Sequence, residues 1–483
     1  MTHQYRAGDL NIVLDVNSGA IHSVSQIAHA MIPQVEAVIQ GGLTEASQIE
    51  ALFARVFAGM RVNDPATAMP DGSPFMQTAT NMVDDMEAAV AGILSLYEKG
   101  QLFSPDNMTA HVEAAKKRPA IIKAICLHVA HACNLSCRYC FADEGAYLGE
   151  RALMSPETGR RAIDFLIRSS GNRKNLEVDF FGGEPLLNWE LIKDVVAYGR
   201  SLEDKWQKKF RFTLTTNGLL LDEGMFDFIN REMANVVLSL DGRKQINDNM
   251  RKKPDGSGSY DEVIDKFTAL AAAREHKNYY IRGTFTRHNL DFSQDFCHLA
   301  DLGFKHISLE PAVGTGKDYH IRPTDIKSIC AEYDRLAEMI SERHMTKNAA
   351  QFFHFLLDLS SGPCVKKRLS GCGAGVEYVA ITPAGEIYPC HQFVGRSAYK
   401  MGSLHTGIGN EGLRERFLNS TLHDKLSCRD CFAKLFCSGG CHANAELITG
   451  SILENDDSAC KMQKKRLECA IMLKAMSAER EQT

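Results

Sequence analysis

The chain has 483 residues, 44% hydrophobic and 24% charged, the makeup of a soluble globular protein long enough for several domains. A formal net charge of -5 offers no general basic footprint, which argues against wholesale binding to nucleic acid or a membrane surface. No signal peptide opens the chain and no apolar run of about 18 residues occurs, so cytoplasmic residence is expected.

Residues 5–24 read as a β-hairpin, with NIVLDV followed by the turn signal Asn17-Ser18-Gly19 and then AIHSV. Three amphipathic helices are expected near 25–39, 44–58 and 79–98, the last closed by Lys99-Gly100. GQLFSPD is expected to return as a short strand. This unit, residues 1–100, has the makeup of a winged-helix domain, for which DNA binding is the plain reading; few Lys or Arg sit on its helices, which counts against it. Residues 101–120 form a linker ending in the basic run KKR.

From 121 to 345 strands alternate with helices. The strands are ICLHVA, LEVDFFGG, FRFTLTTNG, VVLSLDG, YYIRGTFT and HISLEPAV, with helices near 156–169, 188–201, 222–232, 260–274 and 292–302. Repeated βα units imply an α/β core with a parallel sheet, open or curled into a partial barrel, with ligands at the carboxyl ends of the strands. Residues 321–360 read as mostly helical, and beyond 364 the chain is loop-rich and cysteine-dense.

Fifteen cysteines in a chain expected to be cytoplasmic point to metal ligation rather than disulfides, and none lies in the first 125 residues. Cys133, Cys137 and Cys140, in CNLSCRYC, directly follow the first core strand. Three close thiolates suit a cubane iron-sulfur cluster with one iron left open. Structural zinc is the alternative, with His131 or Cys126 as fourth ligand. Farther on, Cys372 is followed by twelve residues, Gly385, four more and Cys390; then come Cys428, Cys431, Cys437 and Cys441, and after a gap Cys460. A zinc ribbon is the alternative for the 428–441 group alone. Cys126, Cys297, Cys330 and Cys469 fit no ligand pattern and are expected to be small buried apolar residues.

The spacing Cys-x3-Cys-x2-Cys with Tyr139 before the last cysteine resembles the radical S-adenosylmethionine (SAM) superfamily. The resemblance implies that SAM chelates the open iron and is cleaved to a 5'-deoxyadenosyl radical. It also implies SAM contacts at Tyr139, at Gly182, Gly183 and Glu184 in GGEP, at Thr216 and Asn217, at Ser239, and at Arg251, with Thr215 and Asp241 beside them. Read alone, each is equally a strand-end turn or a surface charge.

The later cysteines resemble the SPASM extension of this superfamily, expected to span 346–483 and to hold two auxiliary 4Fe-4S clusters, three clusters in all. By that resemblance Cys372, Cys390 and Cys441 hold the first auxiliary cluster, with Cys364 as candidate fourth ligand or else an open iron for a substrate thiolate. Cys428, Cys431, Cys437 and Cys460 hold the second.

With NIVLDVNSGAIHSV, VVLSLDGRK, YPCHQFVG and FCSGGCHANA added, the whole chain is similar to the maturases of six-cysteine ribosomal peptides, the SCIFF maturases. That similarity implies a leader-peptide recognition domain at residues 1–100, a precursor peptide as partner, thioether crosslinking of cysteine sulfur to carbon, and an electron donor such as flavodoxin or ferredoxin. Formylglycine formation by a sulfatase maturase, and a zinc-bearing winged-helix regulator without catalysis, are the rival expectations.

Overall fold

The computed structural model describes residues 1–62, 74–106, 108–117, 120–344, 346–359, 369 and 371–482. Cys364 lies outside the described residues.

The expected hairpin is there as β2 (Leu10–Asp15) and β3 (Ile21–Val24), and a strand the sequence reading did not anticipate, β1 (Thr2–Ala7), makes it a three-stranded antiparallel sheet in the order β1-β2-β3. Three helices follow, α1 (Gln26–Gln40), α2 (Ala46–Val62) and α3 (Pro74–Glu98). Ile12, Val13 and Leu14 of β2 are all fully buried. Successive strand side chains face opposite ways. Val13 therefore packs with Ile32, Val35, Phe57 and Ile93 of the helices, while Ile12 and Leu14 join the main core of the molecule. An unbroken apolar run is what a central strand covered on both faces requires.

GQLFSPD does not form a strand. Phe103 takes a left-handed backbone (φ 55°), which breaks an extended run, and the segment is instead pinned to the β2–β3 turn. There the Ser104 N–H donates to Asp15 Oδ2 at 3.1 Å and Asn17 Nδ2 donates to the Ser104 carbonyl at 2.8 Å.

The core follows the expected alternation: β4 (Ala124–His131), α4 (Pro156–Ser169), β5 (Asn175–Gly182), α5 (Trp189–Trp206), β6 (Lys209–Thr216), α6 (Phe226–Glu232), β7 (Met233–Ser239), α7 (Tyr260–Ala273), β8 (Tyr279–Phe285), α8 (Phe292–Asp301) and β9 (His306–Pro311). The six strands pair in parallel in sequence order, β4 to β9, and all their carboxyl ends share one rim. Leu176, Val178 and Phe180 alternate along β5 toward the helices and are fully buried. The opposite face carries Cys126, Asp179, Thr213 and Asn235 on one rung and Ser239, Arg282 and Ser308 on another. A polar inner face is what a ligand-holding lumen needs.

After α9 (Ile326–Arg343) the chain returns to the sheet. Strand β10 (Tyr378–Ile381) pairs in parallel with β4, and β11 (Glu386–Tyr388) turns back on it, so the cysteine-rich segment extends the core sheet instead of hanging from it. The loop-rich expectation omitted a long final helix, α10 (Asp457–Gln482), which packs along α9. Its Glu468 receives the N-terminal sheet: the carboxylate pairs with His3 at 3.1 Å and Lys465 at 3.0 Å, and its carbonyl accepts the Tyr5 hydroxyl at 2.9 Å. No helix among the described residues is long and apolar enough to cross a membrane.

Replacing Glu468 by Ala removes both side-chain pairs while leaving the core intact. Amide exchange across Thr2–Ala7 is expected to quicken roughly tenfold, the factor that a loss of about 1.4 kcal/mol produces, with exchange in β4–β9 unchanged.

Candidate functional site

The loop after β4 is laid across the end of β5. The carbonyls of Ala130 and Ala132 accept the N–H groups of Gly183 and Glu184, each at 2.8 Å. A Cβ on Gly182 would stand 2.2 Å from the Ala130 oxygen, and one on Gly183 2.1 Å from the Ala132 oxygen, so both positions exclude any other residue. Glu184, fully buried, holds the neighbouring strand end: Oε1 accepts from Leu186 N–H (3.0 Å) and Thr216 Oγ1 (2.8 Å), and Oε2 from Asn217 N–H (2.8 Å). Burial pushes its pKa above the ordinary value in spite of these donors. Asn217 turns its side-chain amide toward Asn134 Oδ1 (2.8 Å) and Cys133 Sγ (3.7 Å). Ser239 stands half-buried at the end of β7 on the inner face, on one rung with Arg282.

The cysteine loop is tied down on its other side as well. Cys137 pairs with Arg251 and Ser136 with Lys252 in a two-residue antiparallel ladder, and the Arg138 N–H donates to the Met250 carbonyl at 2.8 Å. The Tyr139 hydroxyl donates to Asp241, 2.6 Å from Oδ2, and accepts from Arg251 Nη1 at 2.9 Å. Asp241 also accepts the Thr284 N–H at 3.0 Å. Burial alone would lower the pKa of Arg251, but Tyr139, Cys137 and Asp241 outweigh it and hold the guanidinium charged.

The thiols of Cys133, Cys137 and Cys140 lie close enough to perturb one another, and burial pushes Cys133 up to about 12 and Cys137 up to about 11. In the C-terminal segment the cysteines fall into two sets. Cys390 is pushed up to about 12 by burial and then by Cys441 and Cys372. Cys460 is pushed up to about 12 by burial and then by Cys437, Cys428 and Cys431. All fourteen described cysteines are free thiols. No three His, Cys, Asp or Glu side chains of the described residues converge on a single metal-ion position. A cubane takes each thiolate at a different corner; trios and quartets of thiols without disulfides, on loops fixed by backbone bonds, fit that donor set. A thiol must release a proton to bind iron as thiolate, so cluster loading is favoured by rising pH.

Several residues at the site escaped the sequence reading, and His131 entered it only as an alternative zinc ligand. Lys425, 1% exposed, donates to the Gly439 carbonyl at 2.7 Å and faces Cys428, Cys437, Cys441 and Cys460 from between the two sets. Behind the first loop, His128 Nδ1 and His131 Nε2 lie 3.1 Å apart, with Tyr147 stacked against His131 and its hydroxyl on the Gly182 carbonyl at 3.0 Å. Residues three apart on a strand ordinarily face opposite ways; the bulge between His128 and Ala130 brings these two together. Burial lowers His131 to about 4, which keeps it neutral. In the lumen, Arg282 is exposed and Glu310 lies 3.3 Å from His354 and 3.7 Å from Arg466 of α10. Of the cysteines expected to be buried, Cys126, Cys297 and Cys469 are, while Cys330 is only partly covered and lines a surface pocket.

Replacing Tyr139 by Phe leaves Asp241 and Arg251 without the hydroxyl they share. A destabilisation of about 1–3 kcal/mol is expected, read as a lowered denaturation midpoint in the cluster-free protein.

The model of the radical SAM superfamily matches residues 127–289, the span from β4 through β8 and the loop after it. The radical SAM cyclopropyl synthase TigE of Paramaledivibacter caminithermalis is 27% identical over 368 residues, covering 71% of this chain and 72% of that protein. The mycofactocin maturase MftC of Mycobacterium ulcerans is 29% identical over 70% of this chain and 87% of its own length. A cysteine-type anaerobic sulfatase-maturating enzyme of Clostridium novyi is 23% identical over 65% and 86%. Among solved structures, native anSMEcpe with bound AdoMet and a Cp18Cys peptide shares the fold with a TM-score of 0.61 at 20% identity, covering 74% of this chain and 99% of that one. The matched domain begins in the strand that delivers Cys133, Cys137 and Cys140 and runs past the rim residues tied to them, and on that footing residues 127–289 of this protein form a radical SAM domain.

Proposed function

We propose that the chain is a peptide maturase of the SCIFF type, installing thioether crosslinks between cysteine sulfur and a carbon of another residue in a ribosomally made precursor. The observation that carries this reading is that Cys372 and Cys441 lie near Cys390, and Cys428, Cys431 and Cys437 near Cys460, on a segment whose sheet continues that of the core. It is supported by relatives named for maturation and for radical SAM synthesis. Cys133, Cys137 and Cys140 would hold the first cluster; Cys372, Cys390 and Cys441, with Cys364 or an open iron, the second; Cys428, Cys431, Cys437 and Cys460 the third. When SAM is bound to the first cluster, its one-electron cleavage supplies the 5'-deoxyadenosyl radical.

The chain's own residues then divide the work. Glu184 and Arg251 fix the two flanks of the cysteine loop. Arg282 and Glu310 line the lumen where a peptide would lie, one offering donors to carbonyls and the other accepting from N–H groups. The N-terminal sheet would take the leader as an added strand. Because β1 is docked on α10 through His3 and Tyr5, β3 is the edge left to extend. Sulfatase-type formylglycine formation is the second reading, favoured by the relative from Clostridium novyi; the sheet-and-helix unit before the core speaks for the leader-bound peptide instead.

Anaerobic reconstitution should give about twelve irons per chain, three cubanes of four, and 5'-deoxyadenosine with SAM and reductant. A thioether product loses two hydrogens per crosslink and leaves a cysteine that no alkylating reagent labels; formylglycine made from serine loses the same mass with every thiol still reactive, and formylglycine made from cysteine differs in mass because sulfur is exchanged for oxygen. Cys137→Ala should abolish deoxyadenosine. Cys431→Ala should lose about four irons and the peptide product while dithionite-driven SAM cleavage persists. Lys425→Met removes a positive charge beside both C-terminal sets and should lower their reduction potentials by roughly tens of millivolts, read by anaerobic redox titration.

A further inference from the structure

Beside the cysteine quartet the surface holds a pocket of about 430 Å³ whose lining includes four lysines, Lys327, Lys461, Lys464 and Lys465, against one glutamate, Glu468. Phe432, in its wall, follows Cys431, and Lys461 follows Cys460, so the pocket adjoins the quartet through two neighbouring residues. Lys464 lies 5.9 Å from the Phe432 ring centre, and that ring is stacked on His3 at 3.4 Å, which fills the space between the N-terminal sheet and the quartet. Two of the lysines are neutralised: Lys461 pairs with Asp457 at 2.7 Å, and Lys465 with Asp334 and Glu468 at 3.2 and 3.0 Å. Lys327 and Lys464 face no carboxylate at ion-pair distance among the described residues. A local positive surplus on a chain of net charge -5 is a steering feature, since a partner of opposite sign is drawn to it and away from the rest of the surface.

We propose that this pocket is the docking face for a small acidic one-electron carrier protein, which exchanges electrons with the cysteine quartet. The inference rests on reading the quartet as a redox cluster. In the exchange the reduced carrier gives up one electron, the quartet's cluster gains it and passes it on to the cluster of Cys133, Cys137 and Cys140, which spends it on SAM; no bond is made or broken in the transfer itself. The lysines contribute through charge, raising the rate of encounter more than the strength of the complex, so the association is weak and sensitive to salt.

The test uses reconstituted holoenzyme and flavodoxin as the probe. Lys327→Glu with Lys464→Glu is compared with the neutral pair Lys327→Gln with Lys464→Gln. Two quantities are read: binding of oxidised flavodoxin by calorimetry at low and high ionic strength, and deoxyadenosine formed from SAM without peptide, driven by reduced flavodoxin or by dithionite. The charge-reversed protein should lose about tenfold or more in flavodoxin affinity and flavodoxin-driven rate, and the neutral pair less. The dithionite-driven rate should be retained, and wild-type affinity should fall as salt rises. Unchanged flavodoxin binding after charge reversal overturns the proposal. So does a loss of rate shared equally by both reductants in both variants. An iron count near four instead of about twelve would overturn the cluster reading itself, a failure the iron assay separates from a failure of docking.

Discussion

Ala130 and Ala132 receive the N–H groups of Gly183 and Glu184 at 2.8 Å, an approach so close that no side chain fits between the two backbones. That contact sets the cysteine loop over the end of the adjacent strand and turns the Glu184 carboxylate inward to seize Thr216 and Asn217. Asn217 in turn faces Cys133. Three strand ends are thereby held in one frame with the thiols at its edge, before any bound group contributes. The two glycines permit the approach and the carboxylate converts it into a rigid corner.

The opposite flank is secured by charge instead of close packing. Tyr139, Asp241 and Arg251 form a buried set in which a phenol joins carboxylate to guanidinium, and Arg251 extends the ladder to Cys137. Burying these charges is costly unless each is paired and hydrogen-bonded, and each is. The same logic recurs in the C-terminal segment, where the ammonium of Lys425 is buried among four cysteines. An isolated buried ammonium would be expensive; one surrounded by thiolates or an anionic cluster has its counter-charge at hand. Two of the chain's buried cationic groups, Arg251 and Lys425, thus stand at cysteine sets, where negative charge is expected.

Continuity of the sheet links these parts. Strand β10 pairs with β4, the strand that leads to the first cysteine loop, so the C-terminal cysteines are set by the same ladder that sets Cys133. Helix α10 closes the arrangement, giving Cys460 to the quartet, Arg466 to the lumen and Glu468 to the N-terminal sheet. One helix therefore touches the lumen proposed to receive the peptide, a cysteine set and the sheet proposed to hold a leader.

The sequence alone determined the order and type of the core elements, because period-2 runs such as LEVDFF and the helical stripes between them are local signals that tertiary contacts had no reason to overrule. The spacing of Cys133, Cys137 and Cys140, and of the later cysteines, is likewise a local property of the chain, and the ligand sets proposed here start from it. What only the tertiary structure decided depends on residues distant in sequence. The ladder to β10, the docking of β1 on α10, the meeting of Tyr139 with Asp241 and Arg251, and the seat of Lys425 between two cysteine sets have no periodic trace. GQLFSPD, read as a strand from its composition, was claimed instead by Asp15 and Asn17, whose side chains offered its backbone nearer partners than a ladder did. The pairing of His128 with His131 needed a bulge, and a bulge is a property of two strands together, never of one.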